Sequence, residues 1–98
     1  MSYGSEYLEG ATVRVQATFA VGGSNTDPTT VTLKVKDPSG NIDSYTYALG
    51  QVTKGATGVY YKDVQPDETG TWIYRWIGTG AAAGVAETAF KVVDSLVD

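Results

Sequence analysis

The strongest constraint in this sequence is an alternation of apolar and polar residues that restarts after each glycine- or proline-marked break. In "TVRVQATFA", Val13, Val15, Ala17 and Phe19 take one set of alternate positions, and Thr12, Arg14, Gln16 and Thr18 take the other. "TVTLKVK" repeats the pattern, with Val31, Leu33 and Val35 set against Thr32, Lys34 and Lys36. Successive side chains of a β-strand point to opposite faces, so a sustained period of two marks a strand with one face buried. No 3.6-residue pattern runs long enough to compete, which excludes helical folds.

The breaks carry turn chemistry. In "DPSGN", Pro38 presets the backbone and Gly40 or Asn41 accepts a positive φ, so "IDSYTYAL" returns as a partner strand and residues 31–48 form a hairpin. "VGGSNTDP" is expected as a loop, "GQVTKGAT" as a weak short strand, and "GTGAAAG" as a flexible hairpin tip. "VAETAFKVV" closes the fold with Phe90 and Val92 inward. "GVYYKDV" and "GTWIYRWIG" open alike, a Thr-Gly bend leading in each case to an aromatic driven into the core. The expected architecture is all-β: an antiparallel β-sandwich of seven to eight strands over residues 11–93. Residues 1–10 form an N-terminal arm or edge strand around Tyr7 and Leu8, and residues 94–98 a C-terminal tail. A barrel is set aside because no closing pattern is visible.

Both tryptophans fall in "GTWIYRW", with Tyr74 between Trp72 and Trp76, so all three share one strand face and Thr71, Ile73, Arg75 and Ile77 share the other. A chain of 98 residues without cysteine has no disulfide to stabilise it and needs nearly every large apolar side chain inside. Turned outward, the three rings would make an apolar patch of the size reserved for an interface. The expected core is therefore Phe19, Leu33, Tyr60, Trp72, Tyr74, Trp76 and Phe90.

Several chemistries find no support. The chain has no histidine, so a Ser-His-Asp triad cannot be built, and no cysteine for thiol chemistry or a thiolate metal site. Asp37, Ser39, Asn41 and Asp43 alternate like the start of a calcium loop, but the glycine is misplaced and Ala48 stands where the bidentate glutamate belongs. Asp63, Asp67 and Glu68 read as turn residues rather than an acid–base pair. Net charge is −4, and the seven basic residues are scattered without the stripe that nucleic acid binding requires. No apolar run is long enough to span a bilayer, and "MSYGSEYLEG" lacks the regions of a secretory signal. The expectations are no enzyme, no cofactor, no metal, no nucleic acid and no membrane. What remains is contact. Tyr45, Tyr47 and Tyr61 offer amphipathic surface for a protein or glycan if they face out; otherwise they flank or top the core with their hydroxyls in water. The loop tips at Gly22–Asp27 (Asn25, Asp27) and Gly78–Gly84 (Thr79, Gly80) offer a second kind of contact.

The stretches "DPTTVTLKVKDPSG", "TGVYYKDVQPDETGTWIYRWIGTG" and "ETAFKV" resemble an immunoglobulin-like domain, and more narrowly the small immunoglobulin-like proteins of tailed bacteriophages. The run is similar to the Asp-x-Gly-x-Tyr corner of antibody-type domains. One extra residue separates Asp67 from Gly70, and Trp72 replaces the tyrosine, with its indole N–H as the substitute donor. The resemblance implies a virion structural or accessory protein of capsid, neck or tail, assembled in the host cytoplasm and working by docking on other virion proteins. It also allows a homo-oligomer. The alternative is a carbohydrate- or receptor-binding adhesion module that recognises a cell-surface glycan, in which Trp76, at the strand end, joins the exposed tyrosines.

Overall fold

A computed structural model describes residues 6–94; the first five residues and residues 95–98, which include most of the expected tail, lie outside it. The described chain is nearly all-β and holds no α-helix. Ten strands follow one another: β1 (Glu6–Leu8), β2 (Val13–Thr18), β3 (Ala20–Val21), β4 (Ser24–Asn25), β5 (Thr30–Lys36), β6 (Ile42–Thr46), β7 (Thr53–Ala56), β8 (Val59–Val64), β9 (Gly70–Thr79) and β10 (Gly84–Val93). One sheet runs β1-β10-β9-β5-β6, a second β2-β8-β7, and β3 with β4 makes a two-stranded ribbon.

The two main sheets share one core. Val13, Val15 and Tyr60 from the three-stranded sheet meet Leu33, Val35, Trp72, Trp76, Phe90 and Val92 from the five-stranded one. All seven expected core residues belong to this cluster or pack against it; Tyr74 is the one left half-buried. The two strands opening on Thr-Gly behave as their sequences suggest. Gly58 (φ +74°) and Gly70 (φ +127°) hold the left-handed bends, and two residues later Tyr60 and Trp72 enter the core.

Three expectations change. The five-stranded sheet is mixed, because β1 runs parallel to the end of β10, with Glu6 opposite Lys91 and Leu8 opposite Val93. β1 and β10 are separated by most of the sequence, so no tight hairpin joins them and they are free to pair in parallel. The segment expected as a loop after Phe19 instead carries the β3–β4 ribbon, which with β1 takes the strand count above eight; Gly22 and Gly23 both adopt positive φ at its turn, the geometry a two-residue hairpin demands. "GTGAAAG" is not a loose tip. Gly80–Ala82 form a single 3₁₀ turn with Ala82 buried, and the turn is tied down by Thr29, whose amide donates to the Thr79 carbonyl at 2.7 Å and whose hydroxyl accepts from Ala81 N–H at 3.3 Å.

Candidate functional site

The residues first considered for binding are largely spent on the fold. Tyr45 lies directly across from fully buried Leu33, so it faces the core side; Lys62 Nζ sits 4.4 Å from its ring centre. Burial raises the Tyr45 hydroxyl above its ordinary pKa, with Asp43 adding to the effect. Tyr61 carries the Arg14 guanidinium 3.9 Å above its ring. A sugar ring stacks on an open aromatic face, and each of these rings has one face taken by a cation. Tyr47 is exposed, but its ring meets Tyr60 edge-on at 5.3 Å. Asn25 is exposed on β4.

Asp27 is an internal anchor. Its carboxylate accepts from Lys54 Nζ at 2.6 Å, Gly58 N–H at 2.7 Å and the Tyr60 hydroxyl at 3.3 Å. The Lys54 and Gly58 hydrogen bonds hold its pKa below the ordinary carboxylate value. The Thr79 hydroxyl pairs with that of Thr30, and Gly80 (φ +79°) packs on Thr29. Asp37 accepts from both the backbone and side-chain nitrogens of Asn41, so the calcium-like spacing serves the turn.

Two other surfaces stand out. The first is the outer face of the five-stranded sheet. Strand register sets Lys34 opposite Arg75, Arg75 opposite Glu87, and Lys36 between Ile73 and Ile42. These six side chains line a shallow depression of about 230 Å³. Directly opposed like charges destabilise a sheet, so the Lys34–Arg75 pair is a local cost, offset only in part by Glu87 on the other side of Arg75. Basic residues elsewhere are used: Arg14 forms a forked pair with Asp63 at 2.8 and 3.1 Å, Lys54 pairs with Asp27, and Lys62 donates to the Gln51 carbonyl at 3.3 Å. Among the described residues, Lys34, Lys36, Arg75 and Lys91 make no ion pair. All four project from this one face.

The second surface is a cleft of about 390 Å³ where the two sheets part, between β2 and the first half of β10. Trp76, Tyr74, Phe19 and Ala82 form its floor and end.

Sequence reasoning missed the cationic face because Lys34 and Arg75 lie far apart along the chain. Alternation alone places each on an outer face; only the β5–β9 register brings them together. Among the described residues no helix is long and apolar enough to cross a membrane, and no cluster of acidic side chains has the makings of a metal site. Comparison with known protein families, with curated proteins and with solved structures finds no match to this chain.

Proposed function

We propose that the chain is an immunoglobulin-like structural module of a bacteriophage virion that docks through the outer face of its five-stranded sheet onto an acidic surface of another virion protein. The observation that carries the docking is the asymmetry of its cations. In a chain of net charge −4, Lys34, Lys36, Arg75 and Lys91 share one face with exposed Ile42 and half-buried Ile73. Among the described residues none of the four makes an ion pair, although Glu87 stands across from Arg75 and Glu6 across from Lys91. Fixed cations around an apolar centre suit a protein surface bearing carboxylates and a hydrophobic residue. A nucleic acid backbone fits less well, since Glu87 sits within the patch and the overall charge repels phosphate.

The strand order supports the immunoglobulin-like part of the reading. In variable-type domains one sheet carries strands G, F, C and C′ side by side and the other B, E and D; β10-β9-β5-β6 and β2-β8-β7 follow the same sequence of neighbours. The corner supports it too: Trp72 Nε1 donates to the Glu68 carbonyl at 2.9 Å, replacing the tyrosine hydroxyl. The virion assignment rests on the sequence resemblance.

The test is biochemical. The chain should copurify with intact virions at fixed stoichiometry and dissociate as ionic strength rises, because exposed charge pairs are screened over about 10 Å at 0.1 M salt. The double variant Lys34→Glu/Arg75→Glu should fold and fail to attach. Virions free of the chain, or attachment indifferent to this charge reversal, would defeat the reading.

A further inference from the structure

The cleft between β2 and β10 has the character of a missing strand position. In β10, Phe90 and Val92 point into the core, so by alternation Thr88 and Ala86 point the same way, yet both are exposed. They lie beside Tyr74 and Trp76 respectively across the ladder to β9, and all four residues line the cleft. The reason they are uncovered is topological. β1 covers the other edge of β10 only from Lys91 to Val93, so among the described residues Gly84–Phe90 has a strand on one side and none on the other. β2, across the cleft, is paired among the described residues with β8 alone.

Free edges are normally guarded by bulges, prolines, lysines or extreme shortness. The free edge of β7 is short, carries Lys54 and is interrupted by a register shift; that of β2 carries Arg14. The β10 edge keeps an unbroken register through "GVAETAF", has no proline or lysine, and bears only Glu87 as a charge. Beneath it, Trp76 is 1% exposed and its indole N–H has no hydrogen-bond partner, the only such buried side-chain atom among the described residues. An unpaired buried donor is costly.

We infer that this edge accepts an extended peptide strand from another polypeptide, which pairs with Gly84–Phe90 and places apolar side chains in the cleft. The occupant's chemistry follows from the walls. Its inward residues, beside Ala86 and Thr88, are small or medium and apolar, because the floor is aromatic. Its outward residue across from Glu87 is basic, since Glu87 is exposed and makes no ion pair among the described residues. The same charge disfavours a second copy in the symmetric arrangement, which would set Glu87 against Glu87 at the centre of the pairing. Strand addition supplies backbone bonds from the edge and side-chain specificity from the cleft. The cleft lies on the core side of β10 and the cationic depression on its outer side; Glu87 alone belongs to both sites, so either can fail while the other stands.

The test uses the full ¹⁵N-labelled chain and the capped peptide Thr-Val-Lys-Val-Thr-Val-Lys. Binding should saturate, move the Trp76 indole resonance while leaving that of Trp72 in place, and slow exchange of alternate amides between Val85 and Ala89 by at least about tenfold. Replacing the peptide's first lysine by glutamate should weaken binding about two- to fivefold, the range of a cross-strand charge pair. In Glu87→Lys that preference should invert, and Ala86→Arg, which fills the cleft from an exposed position, should abolish binding with the circular dichroism of the chain unchanged. Absence of binding to either peptide at millimolar concentration overturns the inference, as does binding that leaves the edge amides unprotected. Edge amides already protected in the free chain, and exposed on deletion of the first five residues, would show the position filled from within and overturn it equally.

Discussion

The two ends of β9 place the same residue on the same face and treat it in opposite ways. At the start of the strand, Trp72 is 9% exposed, donates to the Glu68 carbonyl at 2.9 Å and stacks on Phe90 at 6.1 Å with the rings 7° from parallel. Tyr7 closes on Phe90 edge-on at 5.7 Å. Four residues on, Trp76 is more deeply buried, yet its N–H is orphaned and it borders an open cleft. Burial and satisfaction are thus separate quantities, and the end with the more hidden ring is the less finished one. The start of β9 is complete as it stands. Its other end holds an unmet polar demand.

Substitution of the indoles tests this contrast hardest. Truncation to alanine should cost about 3–5 kcal/mol at either position, comparable with the whole stability of a small domain. Phenylalanine separates them. Trp72→Phe gives up a hydrogen bond worth about 1 kcal/mol along with ring volume, whereas Trp76→Phe removes an unsatisfied donor whose burial costs about 1–3 kcal/mol. Urea denaturation should find Trp72→Phe the less stable of the two although Trp76 is the more buried; the reverse order would erase the contrast.

Glycines at the two ends give the next largest effect. Gly70 has φ +127°, and an added Cβ would stand 2.8 Å from the Pro38 ring, so Gly70→Ala should cost about 2–3 kcal/mol from backbone strain and crowding together. Gly78 has an ordinary backbone, and its Cβ would meet the Phe19 ring at 2.6 Å. That ring is a side chain lining the cleft, and the Ala82 carbonyl would lie 3.1 Å from the same Cβ, so Gly78→Ala should cost about 1 kcal/mol. Equal losses would mean that the cleft end is as tightly packed as the other.

The smallest effect is in pH. Asp27, at the Phe19 end, has its pKa lowered by Lys54 and Gly58. Its contribution is therefore full above the unfolded carboxylate value of about 3.9 and fades as pH falls through the folded one. The stability gap between the native chain and Asp27→Asn, measured by thermal melting, should stay constant from neutral pH to about pH 5 and close in stronger acid. A gap that persists at pH 2 would remove the charge from the account.

The fold was legible wherever a strand faces the core on one side only. Alternation placed Val13, Val15, Leu33, Val35 and Phe90 correctly because burial itself imposes the period. The Thr-Gly bends and the "DPSGN" turn were legible because only glycine accepts their φ. Trp76 belongs to the expected core although it stands nearest the strand end; it is the most buried of the three rings, because β9 extends beyond it to Thr79 and Leu33 stands directly opposite. Alternation leaves open which face Tyr45 and Tyr47 take, and the cations over Tyr45 and Tyr61 come from neighbouring strands and leave no local mark. The cationic face and the cleft both depend on which strands are neighbours, a relation that alternation within each strand does not contain.

The parallel pairing of β1 with the end of β10 also bears on load. Tension applied through the two chain ends would drag these strands in opposite senses along their common axis. The bonds around Glu6–Leu8 and Lys91–Val93, together with Glu9 N–H to the Val93 carbonyl at 2.9 Å, would then be stretched at once rather than peeled one at a time. A module strung between larger bodies by its ends would meet a pull with its strongest geometry.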